Sequence, residues 1–381
     1  MTLQKNQMSK TNLIVFGTRP EAIKMAPLVQ KFLKNKNFDT KVCVTAQHRE
    51  MLDQVLDFFG IIPDFDLDLM RPNQNLYTLT ATIIENMKPV LDEVKPDYVY
   101  VHGDTTTSMA VGIAAFYSGA KICHVEAGLR TFDRQYPFPE EFNRQLTGKI
   151  ADYHFSPTAL SKKNLLVENI KEENILVTGN TVIDALLYGI EKVNAENFKD
   201  KEIESLKTLL DFQKRIILVT GHRRENHGDG LISICDALKT IAQNNPEIDI
   251  IYPVHLNPNV MGPVNKLLGG IENIHLVSPL AYPAFIWLME KSYLIITDSG
   301  GIQEEAPSLG KPVLVTRTTT ERPEAVDEGT VLLVGTDRAR IVAETEKLLN
   351  NTEYYNAMSL LHNPYGDGKT SERIVNFIEQ L

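Results

Sequence analysis

The 381-residue sequence predicts an α/β protein made of two doubly wound, Rossmann-like domains, each a parallel sheet with helices on both faces. Three observations carry this prediction. Short apolar runs of the buried-strand type alternate with longer helical patterns along the whole chain. The length exceeds what one ordinary core organises and suits two domains. The alternation is interrupted once, by the polar stretch KVNAENFKDKEIESLKTLLDFQK over 192–214. The junction is placed there or slightly before it, with domains over 1–190 and 191–365.

The elements follow in order. Leu13 to Phe16 is a buried-type strand closed by Gly17, and a helix runs from about Pro20 to Lys34. Thr18 can cap that helix, Pro20 suits its first position, and Glu21 stands three residues after Thr18, as in a capping box. Lys41 to Thr45 reads as the next strand and Glu50 to Phe59 as the next helix. Tyr98 to His102, Lys121 to Val125 and Tyr153 to Ser156 complete the strands of the first half. In the second half the strand candidates are Ile216 to Thr220, Asp249 to Tyr252, Ile274 to Val277, Tyr293 to Thr297 and Pro312 to Thr316. Sheets of this kind bind ligands outside the carboxyl ends of their strands, so two facing domains would place the active site in the cleft between them.

Composition narrows the function. The apolar fraction is 43% and the charged fraction 23%, as in an ordinary globular protein. A net charge of −10 disfavours nucleic acid, whose backbone needs a basic surface. Cys43, Cys123 and Cys235 are widely spaced with no CxxC, which predicts buried free thiols rather than a disulfide or metal site. Met1 to Lys10 has no apolar signal-peptide core, and the run Met109 to Ala120 is too short and Gly-rich to span a bilayer. A cytoplasmic protein without membrane partners is expected.

The chemistry-bearing residues cluster at strand ends. Gly17-Thr18-Arg19-Pro20-Glu21 carries one glycine where a dinucleotide fingerprint needs several, so NAD binding at this turn is not expected. Arg19, at a helix N-terminus, and Lys24, about a turn later, suit a diphosphate instead, or are exposed charges on a tight turn. Asp104, in His102-Gly103-Asp104, is either a helix cap or a group in the cleft. Glu126 directly follows a strand, and Glu140 opens a helix after a Pro-fixed loop, where first-turn acids often serve only to complement the helix dipole. Carboxylates crowded together raise one another's pKa and supply general acid and base. A lone histidine is more often structural, but His222, between Gly221 and two arginines after a strand, looks like part of an anion site. In Asp298-Ser299-Gly300-Gly301 a strand ends and a helix begins, an arrangement that cradles phosphate. Glu305 is placed to take ribose hydroxyls, and Arg322 sits on another Pro-fixed loop.

The motifs FGTRPEAIKMAP, TAQHREMLDQVL, HGDTTT, HVEAGLRT, PEEFNRQLTG, TGNTVIDAL, GHRREN, DSGGIQEEAPSLGKPVL, TTERPEA and NPYGDGKTSERI, in order from residue 13 to near the end, resemble the non-hydrolysing UDP-N-acetylglucosamine 2-epimerases. The resemblance implies a fold of the glycosyltransferase-B type, a C-terminal helix (about 366–381) crossing back onto the first domain, and a homodimer. It implies catalytic roles for Asp104, Glu126, Glu140 and His222, and substrate binding by Arg19, Lys24, Arg144, Ser299, Gly300, Gly301, Glu305 and Arg322. It further implies activation by UDP-GlcNAc at an adjacent site matching Gln47, Gln74, Arg223 and His255, although Glu50 stands where some members carry Gln. No metal or other cofactor is implied. The product, UDP-N-acetylmannosamine, would supply bacterial envelope polysaccharide.

Chemistry limits the route. The proton on carbon 2 of the sugar is not acidic, and the NAD fingerprint for oxidising a neighbouring hydroxyl is missing. Departure of UDP first would give an oxocarbenium-like carbon 1, acidify that proton and leave 2-acetamidoglucal. A hydrolysing epimerase, a glycosyltransferase on the same fold, and a non-catalytic sugar-nucleotide sensor are the competing readings.

Overall fold

The computed structural model describes residues 9–45, 49–69, 71 and 74–381. The chain divides into two compact units, Met1–Ala185 with Tyr365–Leu381, and Leu186–Pro364. The helix Thr181–Val193 runs across the boundary between them, and the polar stretch 192–214 belongs to the second unit.

The sheet of the first unit comprises β1 (Lys10–Phe16), β2 (Phe38–Val44), β3 (Phe65–Asp66), β4 (Tyr98–His102), β5 (Lys121–Val125), β6 (Tyr153–Ser156) and β7 (Ile175–Val177). Its order is β3-β2-β1-β4-β5-β6-β7 and every pairing is parallel. The second sheet comprises β8 (Arg215–Thr220), β9 (Ile248–Pro253), β10 (Ile274–Val277), β11 (Leu294–Thr297), β12 (Val313–Val315) and β13 (Val331–Leu333). Its order is β10-β9-β8-β11-β12-β13, again all parallel. The strand order reverses between β1 and β4 in one sheet and between β8 and β11 in the other, which puts a ligand crevice at each of those carboxyl ends.

Strands buried on both faces are largely apolar, as the runs Leu13–Phe16, Tyr98–Val101 and Ile216–Val219 are. Leu13, Val15, Val99 and Val101 point to one face and pack with Ile83, Met87 and Ala110. On the other face the Tyr100 ring lies 5.1 Å from Phe32 of the helix Arg19–Lys34, and Phe32 lies 5.0 Å from Phe38. In the second unit Ile217, Val219, Ile250 and Ile296 meet Leu238 and Ile241 of the helix Asp229–Asn244. The three strands without a sequence expectation, β3, β7 and β13, are two or three residues long and lie at or next to sheet edges. Such pieces are too short to show a periodicity.

The C-terminal segment is tied into the first unit by specific bonds. Asp184 accepts the N–H groups of Thr370 (3.1 Å) and Ser371 (2.7 Å), capping the helix Thr370–Gln380. Asn180 donates its N–H to Tyr365 O at 2.7 Å. Between them Gly179, at φ +91°, faces Thr370 Oγ1 and Gly366 so closely that a Cβ would stand 2.7 Å from the hydroxyl. Phe377 meets Tyr153 and Phe155 edge-on at 5.7 and 5.8 Å.

All three cysteines are free and buried, and burial pushes the Cys43 and Cys235 thiols up to about 12. Among the described residues no helix is long and apolar enough to cross a membrane.

Two buried imidazoles give the first unit a defined acid sensitivity. His124 on β5 and His154 on β6 are register partners, with ring centroids 6.4 Å apart. Burial first, then mutual repulsion, lowers His124 to about 3; burial, then the Arg130 charge, lowers His154 to about 4. Both are neutral in the fold, whereas the unfolded chain protonates them near 6.5. Above that value they contribute no pH dependence. Below it the unfolded state binds more protons, so stability falls with pH by up to about 1.4 kcal/mol per pH unit per histidine. The denaturant midpoint should therefore drop between about pH 6.5 and 5, above most carboxylate titration, and His154→Gln should flatten that slope by about half.

Candidate active site

The first unit builds its site around the turns after β1, β4 and β5. Thr18 caps the helix Arg19–Lys34 through a complete capping box with Glu21, and Arg19 is the first helical residue. Gly17 is required by contact rather than by phosphate: a Cβ there would stand 2.2 Å from Thr45 Oγ1 and 2.7 Å from Thr107 Oγ1. Glu21 is buried and does more than cap. It accepts from Gly17 N (3.1 Å) and Thr18 N (2.8 Å), and also from the hydroxyls of Thr105 (2.6 Å) and Ser108 (3.2 Å). One carboxylate thus ties the Arg19 turn to the Asp104 turn.

Asp104 is not the helix cap. Thr105 is, its side chain accepting from Ser108 N at 3.0 Å. Asp104 is left to bond across to the helix Glu140–Ile150. Arg144 donates to its Oδ2 at 2.5 Å, and Asn143 Nδ2 donates to its carbonyl at 2.9 Å. The Gly103 carbonyl before it bonds the His124 Nε2 at 2.7 Å, and since Gly103 O can only accept, that nitrogen carries the proton.

Glu126 follows β5 with φ +59°, a strained conformation for a residue with a Cβ and one found mainly where structure serves function. Its side chain is 8% exposed and its Oε2 receives Lys24 Nζ and Asn180 Nδ2, the latter at 2.8 Å, with His102 Nε2 at 3.6 Å. Burial alone would raise its pKa, but Lys24 and His102 together outweigh that and hold the carboxyl well below the usual range. Glu126 is therefore a fixed charge. Glu140 begins its helix, half-buried, and its carboxylate makes no ion pair or hydrogen bond with a described residue. The neighbouring Glu141 is the structural acid of that pair. It is fully buried and accepts from Thr131 N, Phe132 N and Gln145 Nε2.

In the second unit the turns after β8 and β11 lie side by side, because Thr220 and Thr297 are register partners. A pocket there is lined by Gly221, His222, Arg223, Asn226, Tyr252 and Asp298, among others. Ser299 precedes the short helix Gly300–Glu305 without a side-chain cap, leaving the first amides of the helix uncapped by side chains. The guanidinium groups of Arg223 and Arg322 both approach Gly300: a Cβ there would stand 3.8 Å from Arg223 NH2 and 3.8 Å from Arg322 Cζ. Glu305 turns back over Gly301, its Oε2 3.8 Å from a Cβ built there. Arg322 is aimed by the buried Glu304, which accepts from its Nε, and by Glu321 O. Arg317, almost fully buried, pairs with Glu225 (2.6 Å) and Glu321 (2.9 Å) and so braces the loops that carry the other two arginines. Two cations and a helix N-terminus around a Ser-Gly-Gly turn suit a diphosphate.

His222 is half exposed, stacked on His255 at 5.6 Å and 19°. Burial lowers its pKa most, His255 and Arg223 add to that, and Asp298 opposes. The residues expected for a second binding site are thus partly interleaved with the first set: Arg223 approaches the Gly300 turn and His255 stacks on His222. Gln74 belongs to the first unit, just before the helix Leu76–Val94, with its Oε1 buried and lacking a hydrogen-bond partner among the described residues. Gln47 lies outside the described residues. Sequence reasoning missed Glu21 as a cross-link, His102, Asn180, Asp298 and Glu304. All stand inside motifs already singled out, but nothing in spacing says which neighbour a side chain meets. Among the described residues no cluster of His, Cys, Asp and Glu is arranged to hold a metal ion.

Two Rossmann-like units, each with its charged residues at the switch point of a parallel sheet, define an α/β protein of the glycosyltransferase-B type. Comparison with known proteins narrows this. The UDP-N-acetylglucosamine 2-epimerase profile matches residues 30–379. The UDP-N-acetylglucosamine 2-epimerase of Escherichia coli (strain K12) is 58% identical over 367 residues, 96% of this chain and 98% of its own. That of Campylobacter jejuni is 57% identical over 97% of this chain and 98% of its own. The crystal structure of the Neisseria meningitidis UDP-GlcNAc 2-epimerase bound to UDP-GlcNAc is 50% identical, with a TM-score of 0.89 over 97% of this chain and all of that one. The chain belongs to the UDP-N-acetylglucosamine 2-epimerase family.

Proposed function

We propose that this protein interconverts UDP-N-acetylglucosamine and UDP-N-acetylmannosamine without net hydrolysis, by eliminating UDP and adding it back. The observation that carries the reading is the pair of guanidinium groups over the uncapped Ser299-Gly300-Gly301 turn: a site for a leaving diphosphate. The C1–O bond breaks with its electron pair going to UDP, where Arg322, the turn amides and Arg19 stabilise the charge. The C2 proton passes to a base and the C–H pair becomes the C1–C2 double bond of 2-acetamidoglucal. Reprotonation of C2 from the opposite face and return of a UDP oxygen to C1 complete the inversion.

Glu126, held ionised by Lys24, cannot give up a proton. It therefore serves as the base or as the fixed charge facing the oxocarbenium-like carbon. Asp104, Glu140 and His222 are the groups for the opposite face, with Arg144 holding Asp104 and Glu305 taking the ribose. UDP-GlcNAc is also proposed to activate the enzyme through Arg223, His255, Gln74 and Gln47, and the protein to work as a cytoplasmic homodimer.

Proton NMR of the protein with UDP-GlcNAc in D2O tests the reading. UDP-ManNAc should appear with deuterium at C2 and no added acceptor. Free N-acetylmannosamine as the sole sugar product would make it a hydrolysing enzyme, and no turnover without an acceptor would make it a transferase. In the same assay the initial velocity should rise sigmoidally with UDP-GlcNAc, and UDP-ManNAc alone should react poorly.

A further inference from the structure

We propose that Asp298 is a positioning residue for His222, fixing the imidazole with its proton on Nδ1 and its Nε2 lone pair free to act on substrate. The inference rests on the reading of His222 as an acid/base group. Asp298 is 1% exposed. Its Oδ2 is fully used: it accepts from His222 N (2.9 Å), Arg223 N (2.8 Å) and Asn226 Nδ2 (3.3 Å). Its Oδ1 is also buried, yet has no hydrogen-bond partner among the described residues. His222 Nδ1 lies 3.5 Å from that oxygen.

A buried carboxylate oxygen without a donor is costly to keep, and such groups persist where they have work to do. A separation of 3.5 Å is longer than a formed bond, but catalytic hydrogen bonds are often long before the Michaelis complex tightens them. The rest of the surroundings leave the ring little freedom. His255 stacks on its face, and the His255 ring is itself held, its Nδ1 accepting from Asn257 N at 3.1 Å. Gly221, just before the histidine, admits no side chain: a Cβ would stand 2.9 Å from Tyr252 Oη. Asp298 thus builds the turn with one oxygen and faces the imidazole with the other. The titratable groups around His222 are Asp298, which favours its charged form, and His255 and Arg223, which oppose it.

Asp298→Asn is the discriminating variant. The Asn oxygen can take the backbone N–H groups, which turns its NH2 toward Nδ1 and forces the imidazole proton onto Nε2. Turnover should fall at least about a hundredfold with the unfolding temperature within a few degrees of wild type. Removing the negative charge should also move the acid limb of the residual kcat/KM profile to lower pH. Because Asp298 acts through His222, the double variant Asp298→Asn/His222→Asn should be about as slow as His222→Asn alone. Near-normal turnover in Asp298→Asn, or losses that multiply in the double variant, would overturn the inference and leave Asp298 as a loop brace. A fully active His222→Asn would instead sink the reading on which it rests. Should Asp298→Asn fail to fold, 15N shifts of the His222 ring in the wild-type protein decide the matter. A protonated Nδ1 is expected, and a protonated Nε2 in the neutral ring would refute the assignment.

Discussion

Asp104→Asn should lose at least about two orders of magnitude in kcat while keeping its fold. The substitution isolates the proton. Asn has the same shape as Asp and can still accept from Arg144, whose NH2 lies 2.5 Å from the carboxylate. The helix that follows does not depend on it, because Thr105 supplies the cap. The carbonyl bond from Asn143 and the support of the turn by His124 and Glu21 involve other atoms. The expected shift in unfolding temperature is a few degrees, the usual result of about 1 kcal/mol in units of this size. Thermal unfolding beside steady-state rates checks both halves. Wild-type turnover would reduce Asp104 to an ion-pair partner of Arg144.

Glu126→Gln should be at least as damaging, and here fold and function must be separated. Lys24 is only 16% exposed and pairs with this carboxylate, so neutralising Glu126 removes an ion pair from a largely buried cation. Some loss of stability is therefore expected besides a loss of at least about a hundredfold in kcat. Lys24→Met supplies the second arm. Without that ammonium only His102 still opposes burial, and the Glu126 carboxyl moves up from its depressed position. A group that must be ionised then loses activity as the pH falls through a higher pKa, so the acid limb of kcat should move upward. In Lys24→Met/Glu126→Gln the limb should vanish with its carboxylate. An acid limb unmoved in Lys24→Met would separate Glu126 from the titration that governs the rate.

Much of the architecture was legible in the sequence, for reasons that can be traced. Tyr98 to His102, Lys121 to Val125, Tyr153 to Ser156 and Ile274 to Val277 coincide with strands because each is a short, mostly apolar and β-branched or aromatic run between helical patterns, as strands of a parallel sheet are. The start of the helix Arg19–Lys34 was legible because a capping box uses side chains three residues apart, a local pattern. The edge strands β3 and β7 were not, since two or three paired residues leave no pattern. Within the candidate site, Asp104 could be a cap or a partner in chemistry. A cap depends on which of two adjacent residues turns its oxygen toward Ser108, and Thr105 does.

The order of residue types along the chain was enough to determine two α/β units, the positions of the charged turns at strand ends, and the family they resemble. Only the tertiary structure decided which of those charges meet. Lys24, His102, Glu126 and Asn180 converge from four separate segments, and Arg223 and Arg322 approach Gly300 from two loops, one braced against the other by Arg317. The protonation of Glu126 and the unused oxygen of Asp298 follow from those meetings, because electrostatics and hydrogen bonding act over a few ångströms of space and take no account of separation along the chain.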